Sequence, residues 1–303
     1  MFRKTAPHSI EIFETLSHAS SLLHPEAMDA IGGYIHGQLR PDGGFADRNG
    51  DSDLYYTMFG LSCAAVLNLK IPHERIAGFL DRFQPETLDL IHLNCLIKCR
   101  AAINLLRNPA LAAIAGRFAA LRNLSVDAAA KSAVKRLLEF DAGGTAYDYF
   151  LRLNAAQDCG LKLPWNSEII EMLESCRKPE GGFSNRAEIK TPALNATVAA
   201  ILFKRQLTGQ NDVTALNWLA GQITPSGGFK ATPETPLPDL MSTATALFTL
   251  KVCGMPAEAN RESSRNFIFD HWRESGGFSG NIIDNCCDCE YTFYGLLAAG
   301  AMI

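Results

Sequence analysis

The chain has 303 residues, of which 47% are hydrophobic and 20% charged, with a formal net charge of −4. Its mean hydropathy is near zero and its isoelectric point about 6.0, so it offers no basic footprint for nucleic acid and no Lys/Arg run for a membrane surface. The longest apolar runs fall short of 18 residues, which argues against a transmembrane helix. Glu11 and Glu14 interrupt the stretch that follows Arg3 and Lys4, so no secretory leader is expected. The nine cysteines then read as reduced thiols, mostly core fillers, in a cytoplasmic protein.

In chain order, the first clear helix covers 27–42, with Ile31, Tyr34, Ile35 and Leu39 on one face. Gly43-Gly44-Phe45 ends it, since glycine accepts a left-handed backbone at little cost. A second helix of different character begins at Asp53 (DLYYTMFGLSCAAVLNL), almost free of charge and rich in small residues. Such a segment, apolar all round, is buried on several sides. Weaker copies of this two-helix unit follow. One ends its first helix near Phe83 and restarts at Asp89; the other carries Gly143-Gly144 and restarts at Asp148. Three strong copies complete the chain, with Gly-Gly-Phe at 181–183, 227–229 and 276–278 and second helices from Thr191, Asp239 and Asp288. The five intervals between second-helix starts, over the 235 residues from 53 to 288, average 47 residues, which is the signature of a repeat architecture.

Asp53, Asp89, Asp148, Asp239 and Asp288 are expected to cap their helices, with Thr191-Pro192 as cap and first residue of the fourth. If all six starts lie at one end of a ring, side chains a turn further in line a shared mouth. An open solenoid exposes its terminal units, and the last unit here, YTFYGLLAAGAMI, is among the most apolar. Closure against the first unit covers both. The expected fold is all-α: one (α/α)6 toroid over 1–303, a closed barrel of six helical hairpins.

The stretches QLRPDGGFADRNGDSDLYYTMFGLSCAAVL and RESGGFSGNIIDNCCDCEYTFYGLLAAG resemble the repeat of protein prenyltransferase β subunits and of squalene-type and related class II terpene cyclases. In the prenyltransferase branch the resemblance implies an aromatic central cavity for an isoprenoid diphosphate, and an α-type partner subunit. Tyr55, Tyr56, Phe59, Tyr291, Phe293 and Tyr294 would supply the wall, where aromatic faces stabilise cationic character; core filling is the other reading of the same residues. The resemblance places Arg186 and Lys190 on the diphosphate, with Arg48 as a second candidate, because charge builds on that leaving group.

The family pattern also implies zinc, held by D-x-C on one buried helix and D-x-x-H on the next. One register offers Ala193, Asn195 and Ser242, the other Asp239, Met241 and Tyr291. Neither supplies three ligands, so zinc is not expected. His92, in a D-x-x-H that begins at Asp89, has no D-x-C partner; it reads as a hydrogen-bonded core residue, and it is also a cavity candidate. Cys286, Cys287 and Cys289 with Asp284 and Asp288 form a soft-ligand cluster, but adjacent cysteines chelate one ion poorly. The cyclase branch needs an acid on D-x-D-D-T. Here the motif reads Asp288, Cys289, Glu290, Tyr291, Thr292, making Asp288 and Glu290 the catalytic candidates, with Glu290 as proton donor. Squalene-type cyclases also carry a second helical domain, for which 303 residues leave no room. Three functions follow: an isoprenoid-diphosphate-binding prenyltransferase-like protein, a non-catalytic toroid serving as scaffold, and a class II cyclase.

Overall fold

The computed structural model describes residues 6–107, 128–139, 145–159, 161, 167–255 and 260–303. Thirteen α-helices occur among them. After α1 (His8–Ser17), outer and inner helices alternate. The outer set is α2 (Pro25–Gln38), α4 (His73–Leu80), α6 (Ala128–Glu139), α8 (Ser167–Ser175), α10 (Val213–Ala220) and α12 (Arg261–Asp270). The inner set is α3 (Leu54–Val66), α5 (Leu90–Leu106), α7 (Ala146–Asp158), α9 (Leu194–Thr208), α11 (Leu240–Val252) and α13 (Cys289–Ala301). Each inner helix packs on the next, α3 on α5 through to α11 on α13, and α13 returns to α3. The ring is closed. Two short antiparallel ribbons, Phe45–Ala46 with Ser52–Asp53 (β1, β2) and Phe278–Ser279 with Cys287–Asp288 (β3, β4), decorate one rim.

The Gly-Gly-Phe repeat has a physical reason at each position. Gly43, Gly181, Gly227 and Gly276 all take positive φ, near 90–103°, and each touches backbone of the next outer helix. A Cβ on Gly227 would lie 2.3 Å from Ser263 O, and one on Gly276 2.1 Å from Ala30 O. The second glycine lies against an aromatic ring of that helix: Phe79, Trp218, Phe267 or Tyr34. The last copy therefore grips α2, the first outer helix, in the way that the internal copies grip their successors. The phenylalanines Phe45, Phe183, Phe229 and Phe278 are fully buried. Their backbone N–H groups donate to Thr57, Thr197, Thr243 and Thr292 Oγ1 at 2.8, 2.8, 2.9 and 3.2 Å. Each threonine hydroxyl in turn donates to the carbonyl four residues earlier, that of Asp53, Ala193, Asp239 or Asp288.

Asp53, Asp239 and Asp288 cap α3, α11 and α13 through their side chains, and Asp89 accepts from His92 N at 2.8 Å. Two expected caps differ. Thr145, not Asp148, caps α7, which puts Asp148 in the first turn. The cap residue of α9 is Ala193, beyond Thr191-Pro192, and it makes no side-chain cap bond. Its start is held instead by Ala193 N on Phe183 O and Leu194 N on Ala231 O, at 2.9 and 2.8 Å. Gly143-Gly144 lies outside the described residues.

Helix α1 precedes the repeats and crosses the end of the barrel where the inner helices finish. It packs on α3, α7, α11 and α13. A Cβ on Gly300 would strike Thr15 O at 1.8 Å. Glu11, 8% exposed, pairs with Arg205 at 2.8 Å, and Gln206 Nε2 donates to Ala6 O at 2.7 Å. The barrel thus has a rim, where the Gly-Gly-Phe loops lie, and a floor made by α1. All nine cysteines are free thiols, and six of them are buried. Among the described residues no helix is long and apolar enough to cross a membrane.

Replacing Thr243 by Val removes the partner of a fully buried Phe229 N–H without changing shape. The expected cost is about 1–3 kcal/mol, read as a lower urea midpoint with an unchanged slope. An unaltered midpoint would show that the relay carries no stability.

Candidate functional site

A cavity of about 1710 Å³ occupies the inner ring and extends past α1 to the outer helix α2; inner-helix side chains line it, with α1, Met28, Gly33 and His36 of α2 and the turn after α3. Four of the six expected wall aromatics reach it: Tyr55 and Phe59 from α3, Phe293 and Tyr294 from α13. They form one edge-packed cluster, with Phe59 5.0 Å from Tyr55, 5.1 Å from Phe293 and 5.7 Å from Tyr294. The seam exists because α13 closes on α3, which brings residues about 235 positions apart into contact. Tyr56 stacks edge-on behind Tyr55 at 5.7 Å. Tyr291 is turned to the rim, against Gly280 and beneath the Arg48 guanidinium, 5.4 Å from its ring centre. Neither of these two lines the cavity.

Glu290, in the first turn of α13, is mostly buried behind this wall. It accepts a hydrogen bond from Tyr55 Oη at 2.6 Å. Burial raises its carboxyl above the usual range, and the Tyr55 bond only partly offsets this. Since Tyr55 itself lines the cavity, the acid reaches the chamber through one hydroxyl. Asp288 is 2% exposed and has a different task. Its oxygens accept from Tyr291 N at 2.8 Å and from Arg48 Nε at 2.8 Å. Burial raises its carboxyl too, against those bonds.

Arg48 is thereby committed, since its second arm pairs with Asp284 at 2.9 Å. Arg186 and Lys190 are exposed on the loop between α8 and α9 and do not line the cavity. His92 is not a core residue: its side chain is 40% exposed and pairs with Asp89 at 2.9 Å. It lies one turn outside the chamber, because neighbouring Ile91, Asn94 and Cys95 occupy the inward face of α5. Of the positions where the resemblance implies zinc, Asn195, Met241 and Ser242 line the cavity, but an amide, a thioether and a hydroxyl do not make a zinc donor set. Among the described residues no three His, Cys, Asp or Glu side chains converge on one point.

The sequence reading missed the chamber's other half. Tyr147 and Phe150 on α7 and Phe248 on α11 line it, as do Asn94, Lys98 and Asn154. It also missed the floor, where His8 sits between Phe150 and Phe248 at 4.8 and 5.4 Å between ring centres. The signal for α7 lay in the inward spacing of Tyr147, Phe150 and Asn154. For α1 no repeat signal exists, because it stands outside the repeat.

A closed double ring of helices around an aromatic chamber defines an α/α toroid. The model of the prenyltransferase alpha-alpha toroid domain matches residues 12–105, 149–212 and 202–302, and the chain belongs to this family. No curated protein matches at the level of sequence. Among solved structures, the chain is similar to the type II terpene cyclase MstE from Scytonema, solved as a variant with its substrate geranylgeranyl dihydroxybenzoate. That match has 13% identity and a TM-score of 0.57, over 95% of this chain and 97% of the other. A protein from Actinoplanes is similar at 16% identity and a TM-score of 0.53, over 91% and 98%. These likenesses are of fold.

Because burial raises Glu290 in the folded chain, the native state keeps its proton to higher pH than the unfolded chain does. Stability attached to this group is therefore greatest on the acid side, and it declines as pH rises from the unfolded value through the raised one. Glu290→Gln keeps an acceptor for Tyr55 and removes the titration. Relative to the parent, it should gain stability in urea unfolding as pH rises through and above the ordinary carboxyl range. A difference that stays flat with pH would contradict the burial of this carboxyl.

Proposed function

We propose that the chain binds an isoprenoid in its central chamber. The observation that carries this reading is the chamber itself, larger than the ~300–1,000 Å³ of ordinary ligand sites and walled on one side by Tyr55, Phe59, Phe293 and Tyr294. Burying a prenyl chain there gains about 0.8 kcal/mol per CH₂. The fold shared with MstE, solved with a geranylgeranyl ligand, makes this ligand class the first to test. A diphosphate grip by Arg48, Arg186 and Lys190 receives less support, since Arg48 is held by two carboxylates and the other two lie outside the cavity. Recognition on this reading is through the chain.

A second reading, cyclisation, is favoured by the raised, mostly buried Glu290 carboxyl and its bond to cavity-lining Tyr55. In this reading the Tyr55 hydroxyl gives its proton to the less substituted carbon of an alkene, whose π pair becomes the new C–H bond, while Glu290 hands its own proton to the Tyr55 oxygen. An internal alkene closes on the resulting tertiary cation, a final proton leaves to water, and Glu290 is reprotonated from solvent. The aromatic wall stabilises the cation by roughly 0.5–2 kcal/mol per face.

Titration calorimetry with farnesol and geranylgeraniol is expected to give saturable binding. Val198→Trp, which places an indole in the chamber from α9, is expected to weaken it at least ~10-fold, about 1.4 kcal/mol. Absence of binding by the parent protein removes the proposal. For the second reading, a prenylated arene incubated in D₂O should yield a cyclised product carrying deuterium, and Glu290→Gln should bind the arene without converting it. Equal conversion by the variant would dismiss Glu290 as the acid.

A further inference from the structure

The cavity does not end inside the ring. One face of α3 carries Tyr55, Phe59, Ser62 and Val66, each about a helical turn from the last, and all four line it. That face runs about 17 Å from the aromatic wall towards the floor. Beyond it Asn68 takes a left-handed backbone, φ 52°, and Leu67 and Leu69 on either side of it line the same space. Leu69 lies against α2: a Cβ on Gly32 would stand 3.3 Å from its Cδ2. Met28 and Gly33 of α2 line the cavity at this end. Helix α1 therefore crosses the floor without sealing it, and a groove carries the chamber on to the surface of α2.

Two features set this groove apart from the chamber. Its lining turns polar: Asp29 and His36 of α2 and Lys70 line it, and all three are exposed. Gly33, also exposed, keeps it open. Glycine in mid-helix costs roughly 0.5–1 kcal/mol against alanine, yet a Cβ at Gly33 would meet nothing within 4 Å. Packing does not call for glycine there. Hydrocarbon gains by burial in the aromatic chamber and gains little in an exposed polar groove. We infer that the groove over α2 is a subsite for the bulky polar head of a head-substituted isoprenoid, whose chain runs along the α3 face to the Tyr55–Tyr294 wall. The inference rests on the chamber reading above and adds a ligand class and a direction to it. The ligand is a prenyl conjugate bound tail first, so the alkene furthest from the head lies nearest Tyr55.

Size and charge select the class. The whole space, about 1710 Å³, exceeds the ~300–1,000 Å³ of ordinary ligand sites, which leaves room for a chain and a head together. Lys70 donates hydrogen bonds, Asp29 accepts them and an imidazole such as His36 can do either. Lys70 and Asp29 carry opposite charges, so the groove offers polar contacts with little net field. That suits a neutral head better than a diphosphate.

The test compares geranylgeraniol with its ether to a neutral dansyl amide, each delivered from cyclodextrin, on the full chain. The parent is expected to bind the conjugate at least as tightly as the alcohol, and iodide should still quench the bound dansyl group, since its seat is exposed. Gly33→Trp fills the groove and should weaken the conjugate at least about tenfold more than the alcohol. This variant should melt no lower than the parent, because it removes a mid-helix glycine at an open position. Val198→Trp, inside the ring, should weaken both ligands alike. A parent that binds the alcohol but rejects the conjugate overturns the subsite. So does a bound dansyl group shielded from iodide, or a Gly33→Trp variant that leaves the ratio of the two affinities unchanged, which would put the head at the rim. Each of these leaves the chamber reading intact. Failure of both ligands to bind the parent overturns both.

Discussion

The structure depends on a small hydrogen-bond relay made in each strong repeat. A fully buried phenylalanine gives its N–H to a threonine hydroxyl one turn into the inner helix, and that hydroxyl gives its own proton to the carbonyl at the helix cap. A polar backbone group buried so deeply needs a partner. The relay provides it while pinning the loop to the helix. The glycine pair just before the phenylalanine then lets the loop lie on the next outer helix at contact distance. One motif therefore links its own inner helix to its neighbour's outer helix, and repetition of that link turns through a full circle.

Closure is where packing becomes a site. The contact of α13 with α3 joins the most aromatic stretches of the first and last units, so Tyr55, Phe59, Phe293 and Tyr294 form a wall that neither unit possesses alone. The same closure sets Arg48 of the first unit on Asp284 and Asp288 of the last. That pair involves a carboxylate that is almost fully buried and also caps α13, and removing one partner of such a pair is far more damaging than the pair is stabilising. Arg48 is thus a clasp across the seam, engaged by two carboxylates of the last unit.

The architecture was legible because it is written in a repeat: glycine pairs, a buried phenylalanine, an aspartate cap and a charge-free helix recur together in the strong units. The aromatic wall was legible for the same reason, since it falls at equivalent positions of strong units. What escaped lies where periodicity is weak or absent. The cap of α7 passed to Thr145, because a threonine three residues earlier could bond the same backbone amide that Asp148 itself carries. His92 was placed inward by its motif, but the 3.6-residue turn of α5 gives the inward face to Ile91, Asn94 and Cys95. Arg186 matched a spacing, and its loop carries it to solvent. The floor had no repeat to announce it. Its residues come from α1, which stands outside the repeat, and from polar positions on otherwise apolar helices.

The seat of α1 has a consequence for the order of assembly. That helix leaves the ribosome before every other described helix, yet its berth includes Thr15 against Gly300 on α13, nearly three hundred residues downstream. Contacts so remote in sequence form late and slow the search for the native state. Until the final hairpin arrives, the nascent ring is a bottomless cup with its greasy lumen open. A helix made early is among the last to be seated.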